Sequence, residues 1–374
     1  MHLLLLMNNM IYKAESVFTG EEILSNYGVI ADNDIIIDLL PAKELENIND
    51  VVDLGNVLLA PAFIDIQLYG AHNRLLAVYP DAETVREIVD YCANGGASWC
   101  LPTVATNTHD VIFKCIDAIK NYWSQSAKGV IGLHVEGPWL NPIKRGAHRE
   151  EWIFSPTIEQ AKELLDYGKG VIKMITLAPE CVSKDIIELV QSYGIIVSAG
   201  HSNATYEQGI EAFNNGIHNA THLYNAMSSL QHRSPGLVGA IFNDPEVLCS
   251  LVPDGHHVDF AAIKIAKKIM GNRLFAITDA VTETAEGYYQ HRFEEDKYVS
   301  NGILSGSALT MHKAFYNLVN YCDIPFEEAL RMCSTYPAKA LQMENQLGVI
   351  KKGAKATMIA LNKDLSLRTS IIKK

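Results

Sequence analysis

Positive charge is scarce in this sequence: 31 lysines and arginines stand against 43 aspartates and glutamates, a formal net charge of −12 over 374 residues. A nucleic-acid backbone needs a basic face, so no nucleic-acid partner is expected. A small anionic substrate is still allowed, because a few local cations can hold one phosphate against an acidic background. Long apolar runs are missing too. None approaches the 18 or more residues of a membrane span, so no membrane partner is expected. The opening Met1-His2-Leu3-Leu4-Leu5-Leu6-Met7 has no basic segment before it and no small-residue cleavage site after it, so it reads as a strand over 3–6 rather than a leader. Paired cysteines are also lacking. The seven (Cys92, Cys100, Cys115, Cys181, Cys249, Cys322 and Cys333) are odd in number, scattered and never at CxxC spacing. That excludes a disulfide framework and a zinc ribbon, and points to buried thiols in a reducing cytoplasm. No internal repeat, low-complexity tract or flexible linker interrupts the chain.

What is present is a change of texture. Residues 1–55 read as short strands, at 16–18, 27–31 and 35–39 besides the first, with Asp32-Asn33-Asp34 as a turn. From residue 56 a strand–helix alternation begins, with β-rich apolar runs at 57–68, 99–104, 130–135, 171–177, 195–198, 218–222, 247–252 and 274–278. Segments of helical period lie between most of them; in 82–94, Val85, Ile88, Val89 and Cys92 share one face, and Gly95-Gly96 is a helix stop. Eight buried strands with intervening helices predict a (β/α)8 TIM-type barrel over 56–346. The competing open doubly wound sheet lacks its mark, since no GxGxxG follows the first strand. Helices are expected at 308–321, 326–333 and 337–341, and strands at 347–350 and 356–361. Residues 1–55 and 347–374 are thus expected to join as a small β-sandwich domain built from both chain ends.

Barrel enzymes keep their chemistry at the C-terminal strand ends. Here the third strand ends in His134-Val135-Glu136, the fifth in Ala199-Gly200-His201, the sixth in Thr221-His222 and the eighth in Thr278-Asp279, while the seventh leads into Asp254-Gly255-His256-His257. A lone histidine after a strand is more often a structural hydrogen-bonder, and a lone aspartate there often caps a helix. Five strand ends converging on one mouth change that reading. Glu136, His201 and His222 supply one carboxylate and two imidazoles, a set that suits Zn²⁺ or Fe²⁺ and leaves coordination positions open to water.

Several motifs carry a family resemblance. Leu133-His134-Val135-Glu136-Gly137-Pro138-Trp139-Leu140-Asn141-Pro142 is followed by Lys144-Arg145-Gly146-Ala147-His148. Then come Ser198-Ala199-Gly200-His201-Ser202-Asn203-Ala204, Thr221-His222-Leu223-Tyr224-Asn225-Ala226-Met227 and Ser305-Gly306-Ser307-Ala308-Leu309-Thr310-Met311. With Pro61-Ala62-Phe63-Ile64-Asp65 and Tyr336-Pro337-Ala338-Lys339-Ala340-Leu341, they fall in order across about residues 55–350. Together they resemble the N-acetylglucosamine-6-phosphate deacetylases of the amidohydrolase superfamily. The resemblance implies the barrel with its small β domain, a homodimer, and one divalent metal ion per chain held by Glu136, His201 and His222. It further implies Asp279 as acid/base, His148 at the scissile carbonyl, and Ala147, Asn225, Ala226, Arg233 and His257 as contacts to a phosphosugar. Leu304, Ser305 and Gly306 are expected to line the sugar pocket. His256 is the neighbour most easily confused with His257.

Departures bear on the metal count. Where amidohydrolases often carry His-x-His on strand one, this chain has Ile66-Gln67-Leu68, and glutamine is a poor ligand for zinc or iron. The resemblance is therefore to the single-metal branch, with His72 as the nearest alternative donor. Ala62 replaces a usual glycine and Thr357 a usual acid, both away from the expected mouth. The expected reaction is removal of the acetyl group from N-acetylglucosamine 6-phosphate. Two alternatives stand beside it: another N-acetyl hexosamine 6-phosphate such as the galactosamine epimer, or a non-catalytic phosphosugar-binding relative.

Overall fold

A computed structural model describes residues 10–371 apart from 47, 49 and 127, so the strand expected at 3–6 lies outside the described residues. Eight strands follow one another around a parallel sheet: β1 (Phe63–Leu68), β2 (Ala97–Ala105), β3 (Leu133–Glu136), β4 (Ile172–Leu177), β5 (Ile196–Ala199), β6 (Asn219–Ala220), β7 (Leu248–Leu251) and β8 (Leu274–Ala276). Each pairs with its sequence neighbours. The last meets the first just past its own end. Leu68 and Ala280 form a parallel bridge, Asp279 N–H donates to Gln67 O at 2.9 Å, and Tyr69 N–H donates to Ala280 O at 2.8 Å. The (β/α)8 barrel is closed by this seam, which also carries Gln67 and Asp279 into the mouth.

The helices arise where the apolar period and a cap coincide. Helix α1 (Ala82–Asn94) starts at Asp81, whose side chain accepts from Thr84 N–H, and buries Val85, Ile88 and Cys92. Val89 lies at the edge of that face and packs against the core only in part. The ring continues with α2 (His109–Gln125), α3 (Ile158–Tyr167), α4 (Lys184–Ser192), α5 (Tyr206–Asn214), α6 (Gly236–Asn243) and α7 (Phe260–Met270). After the barrel come α8 (Met311–Asn320), α9 (Phe326–Cys333) and α10 (Thr335–Ala340), close to the expected positions. No helix among the described residues is long and apolar enough to cross a membrane.

Both chain ends build a second sheet of seven strands. Its path runs from Leu367–Ile371 through Met358–Leu361, Leu58–Pro61, Met10–Phe18 and Ile23–Asp32 to Ile35–Pro41, and Val51–Asp53 also pairs with Met10–Phe18. It packs the apolar clusters of a small sandwich on two sides, Val17, Val29, Leu59 and Met358 in one and Ile11, Ile30 and Leu45 in the other. The apolar run 57–68 is two strands rather than one. Leu58–Pro61 belongs to the small sheet, and the chain passes through Ala62 into barrel strand β1.

Two features differ from the sequence reading. The strand expected at 347–350 is a turn: Leu347 and Ile350 are apolar because they are buried, while Gly348 takes φ +71° with Ser334 O too close for a Cβ. A three-stranded antiparallel sheet (Arg292–Glu294, Lys297–Ser300 and Ile303–Ser307) is inserted between β8 and α8. Its strands are short and partly exposed, so they carry little apolar alternation to read.

Candidate active site

Glu136 is the last residue of β3, His201 and His222 each stand two residues past β5 and β6, and Asp279 stands three past β8. His201, His222 and Asp279 all take left-handed backbone, with φ of 47°, 42° and 55°. Non-glycine residues rarely adopt this conformation, and it is held where the surroundings impose it, often at functional sites. In each case the turn follows directly on a barrel strand.

Glu136 is fully enclosed and sits at the centre. Its Oε1 is 3.1 Å from His222 Nε2 and 3.3 Å from His201 Nε2, and those two nitrogens are 3.1 Å apart. A tetrahedral ion with bonds of about 2.0–2.1 Å holds its ligand atoms roughly 3.3 Å from one another. The triangle therefore has the size of one face of such a site. The donor chemistry agrees for His201: its Nδ1 is 2.9 Å from Lys144 O, a carbonyl that can only accept, so Nδ1 carries the proton and Nε2 keeps its lone pair. Among the described residues, His222 Nδ1 is buried with no hydrogen-bond partner.

His148 is also near. Glu136, His148 and His201 each offer an atom within 4.8 Å of the others, and His148 Nε2 lies 3.3 Å from Glu136 Oε2. Its Nδ1 faces Thr106, 2.8 Å from the hydroxyl Oγ1 and 3.3 Å from the backbone N–H, so either ring nitrogen can carry the proton, and Nε2 can meet an ion or donate into the cavity.

Gln67 and Tyr69 tie the carboxylates together. Gln67 Nε2 donates to Glu136 Oε1 at 3.0 Å and to Asp279 Oδ1 at 2.9 Å, and the Tyr69 hydroxyl donates to Glu136 Oε2 at 2.5 Å and reaches Asp279 Oδ1 at 3.2 Å. Tyr69 was not singled out from the sequence, yet a signal was there: in a strand, positions 65, 67 and 69 share a face. His72 takes no part, since it pairs with Glu87 at 2.5 Å on the surface.

The electrostatics follow from enclosure and company. Burial would raise the Glu136 carboxyl, but His148, His201 and His222 around it hold it well below the usual carboxylate range. Burial, aided by the nearby His148, lowers His201 to about 4. His222 is raised despite its burial, because Glu136 stabilises its proton; an ion bound there would displace that proton. Asp279 is pushed up, chiefly by burial and further by Glu136, against the opposing pull of His257 and His222. A carboxyl so placed gives up and regains a proton more readily near neutrality than an exposed one.

These groups open into a cavity whose lining includes Ala147, Asn225, Ala226, His257, Leu304 and Ser305 beside the central residues. His257 faces in, its Nδ1 2.6 Å from Asp254 Oδ2 and its Nε2 3.6 Å from Asp279 Oδ2, whereas His256 turns to Asp296. Gly306 lies behind the wall. It takes φ +154°, and a Cβ there would come within 2.5 Å of Val281 Cγ1. Gly306→Ala is expected to destabilise the fold by about 1–3 kcal/mol, measured by thermal melting with and without substrate. Arg233 is different: it is exposed and outside the lining, which contains no lysine or arginine. Tyr289 and His291 of the inserted segment do line the cavity, and nothing in the sequence marked them.

Residues 58–373 match the amidohydrolase family. An N-acetylglucosamine-6-phosphate deacetylase of Haemophilus influenzae is 33% identical over 91% of this chain and 92% of its own length. An N-acetylgalactosamine-6-phosphate deacetylase of Shewanella sp. is also 33% identical, over 82% of this chain and 79% of its own. The crystal structure of N-acetylglucosamine-6-phosphate deacetylase from Pasteurella multocida superposes with a TM-score of 0.91 at 32% identity, covering 97% of this chain and 98% of that one. The barrel, its site-bearing strand ends and these likenesses together place the chain in the amidohydrolase family.

Proposed function

We propose that this protein hydrolyses the acetamide of N-acetylglucosamine 6-phosphate to glucosamine 6-phosphate and acetate. The observation that carries this reading is a ligand-sized triangle, Glu136–His201–His222, facing an elevated carboxyl, Asp279, with the His148 imidazole beside it. One divalent ion per chain, zinc or else iron, would be held by Glu136, His201 and His222; when bound it polarises the acetyl carbonyl and acidifies water. Asp279 accepts a proton from the attacking water as its oxygen adds to the carbonyl carbon. The same carboxyl then passes that proton to the nitrogen as the C–N bond breaks, so the amine departs neutral. His148 Nε2–H donates to the developing oxyanion, a contact worth about 2.7–4 kcal/mol.

The remaining contacts are part of the same proposal. Asn225, Ala226 and His257 would meet the phosphate arm, and Leu304 and Ser305, backed by Gly306, the sugar ring. Arg233 is proposed as the phosphate's cation, approaching from outside the lining. Arg233→Ala should then raise KM for the phosphorylated substrate far more than for free N-acetylglucosamine; equal changes would take Arg233 off the phosphate. Seven free thiols, six of them buried, favour a reducing cytoplasmic location. A homodimer is proposed on the family resemblance.

The galactosamine epimer is the second reading, favoured by the equal identity of the Shewanella relative. An acetate-release assay over a panel of N-acetyl hexosamines, each with and without 6-phosphate, tests both. Fastest turnover of N-acetylglucosamine 6-phosphate supports the first, fastest turnover of the galactosamine epimer the second. Acetate release from neither would revive the non-catalytic alternative.

A further inference from the structure

Most polar side chains in the cavity are engaged at its acyl end. Glu136, His148, His201, His222, Asp279, Tyr69 and His257 interlock there, and deeper down Thr103 Oγ1 is occupied, donating to Leu101 O and accepting from Leu68 N–H. His291 and Ser305 stand apart from that network. Around them the lining is apolar: Leu75, Ala77, Val281 and Leu304.

His291 is built in rather than hanging free. It is only 9% exposed, and its Nδ1 lies 2.8 Å from Ser305 Oγ on the third inserted strand. Its ring stacks on Tyr289 at 10° between planes, and the Tyr289 hydroxyl donates to Thr106 O at 2.6 Å, anchoring the segment to the end of β2. Nε2 makes no hydrogen bond among the described residues. Burial lowers the ring to about 4, so it is uncharged at neutral pH. An imidazole nitrogen without a protein partner at the edge of a cavity is met by water, which a ligand hydroxyl can replace. A hexose presents C–H faces, which suit this apolar wall, and hydroxyl edges, which suit a neutral donor or acceptor.

We infer that His291, oriented by Ser305, hydrogen-bonds a ring hydroxyl of the hexosamine phosphate and is a specificity-determining residue that helps set which epimer is accepted. This rests on the proposed substrate class. A site that hydrogen-bonds a substrate hydroxyl discriminates against the analogue that misplaces it, because its own buried polar group is then left unpaired.

Binding separates this role from turnover. In an Asp279→Asn background, calorimetry with N-acetylglucosamine 6-phosphate and with its galactosamine epimer would be compared for His291, His291→Ala and His291→Gln. For the better-bound epimer, the alanine variant should raise Kd by about tenfold, with a smaller change for the other, and glutamine should restore part of the loss. Metal content and melting temperature show that each variant is folded and loaded, and Ser305→Ala should weaken binding in the same sense. Kd values within about twofold of the parent for both epimers, or a glutamine variant binding no tighter than the alanine variant, overturn the inference. Absence of acetate release by the unsubstituted protein would instead count against the proposed reaction, while binding would still read His291.

Discussion

Asp279→Asn is expected to lower kcat by about 10²–10⁴-fold, the range lost with a general acid–base group, while leaving one metal ion per chain. Asparagine keeps the shape and the acceptor at Oδ1, so the donors from Gln67 and Tyr69 still find a partner. What disappears is the proton carrier, and with it a carboxyl that burial and the Glu136 charge set above its ordinary range. The His257 imidazole stands beside it, with Nε2 3.6 Å from Asp279 Oδ2 and Nδ1 held by Asp254. Steady-state kinetics with elemental analysis on the same samples check both halves. Turnover within about tenfold of the parent would remove Asp279 from the proton transfers.

Glu136→Gln is expected to act one step earlier, by loss of the ion. The carboxylate is the one negative charge in the proposed ligand set, and burial is overcome there only because three imidazoles surround it. A neutral amide would leave two histidines 3.1 Å apart without that charge between them. Metal content should fall close to zero and activity by at least about 10³-fold, with chelation of the parent protein giving the same loss and added zinc restoring the parent alone. A Glu136→Gln protein that keeps a full equivalent of metal would mean that other residues hold it.

The strand ends were the legible part of this molecule. Glu136, His201, His222 and Asp279 each follow a run of buried β-formers, so their convergence could be expected from topology alone, and the fold brings them together. Local patterning was also enough for α1 and α9, where apolar period and helix ends agree. Less legible was whatever depends on burial for a different reason. Leu347 and Ile350 look like strand residues but are buried in a turn, and the inserted sheet between β8 and α8 has faces too exposed to alternate. Around the site, Tyr69 could have been found from its two-residue spacing to Gln67. His291 could not, because it reaches the cavity through an insertion of short, partly exposed hairpin strands with little alternation to read. Arg233 shows the opposite limit: the family resemblance implied a role for it, and the fold leaves it outside the cavity of its own chain.

The account depends on one ion seated on the Glu136–His201–His222 face. Crystals grown with zinc and measured on both sides of the zinc absorption edge would locate it directly. One anomalous peak per chain, within bonding distance of a Glu136 oxygen and of Nε2 of both histidines, with His148 unbound, is the predicted result. A peak ligated by His148 in place of His222, a second peak beside Gln67, or no peak at this mouth would contradict it.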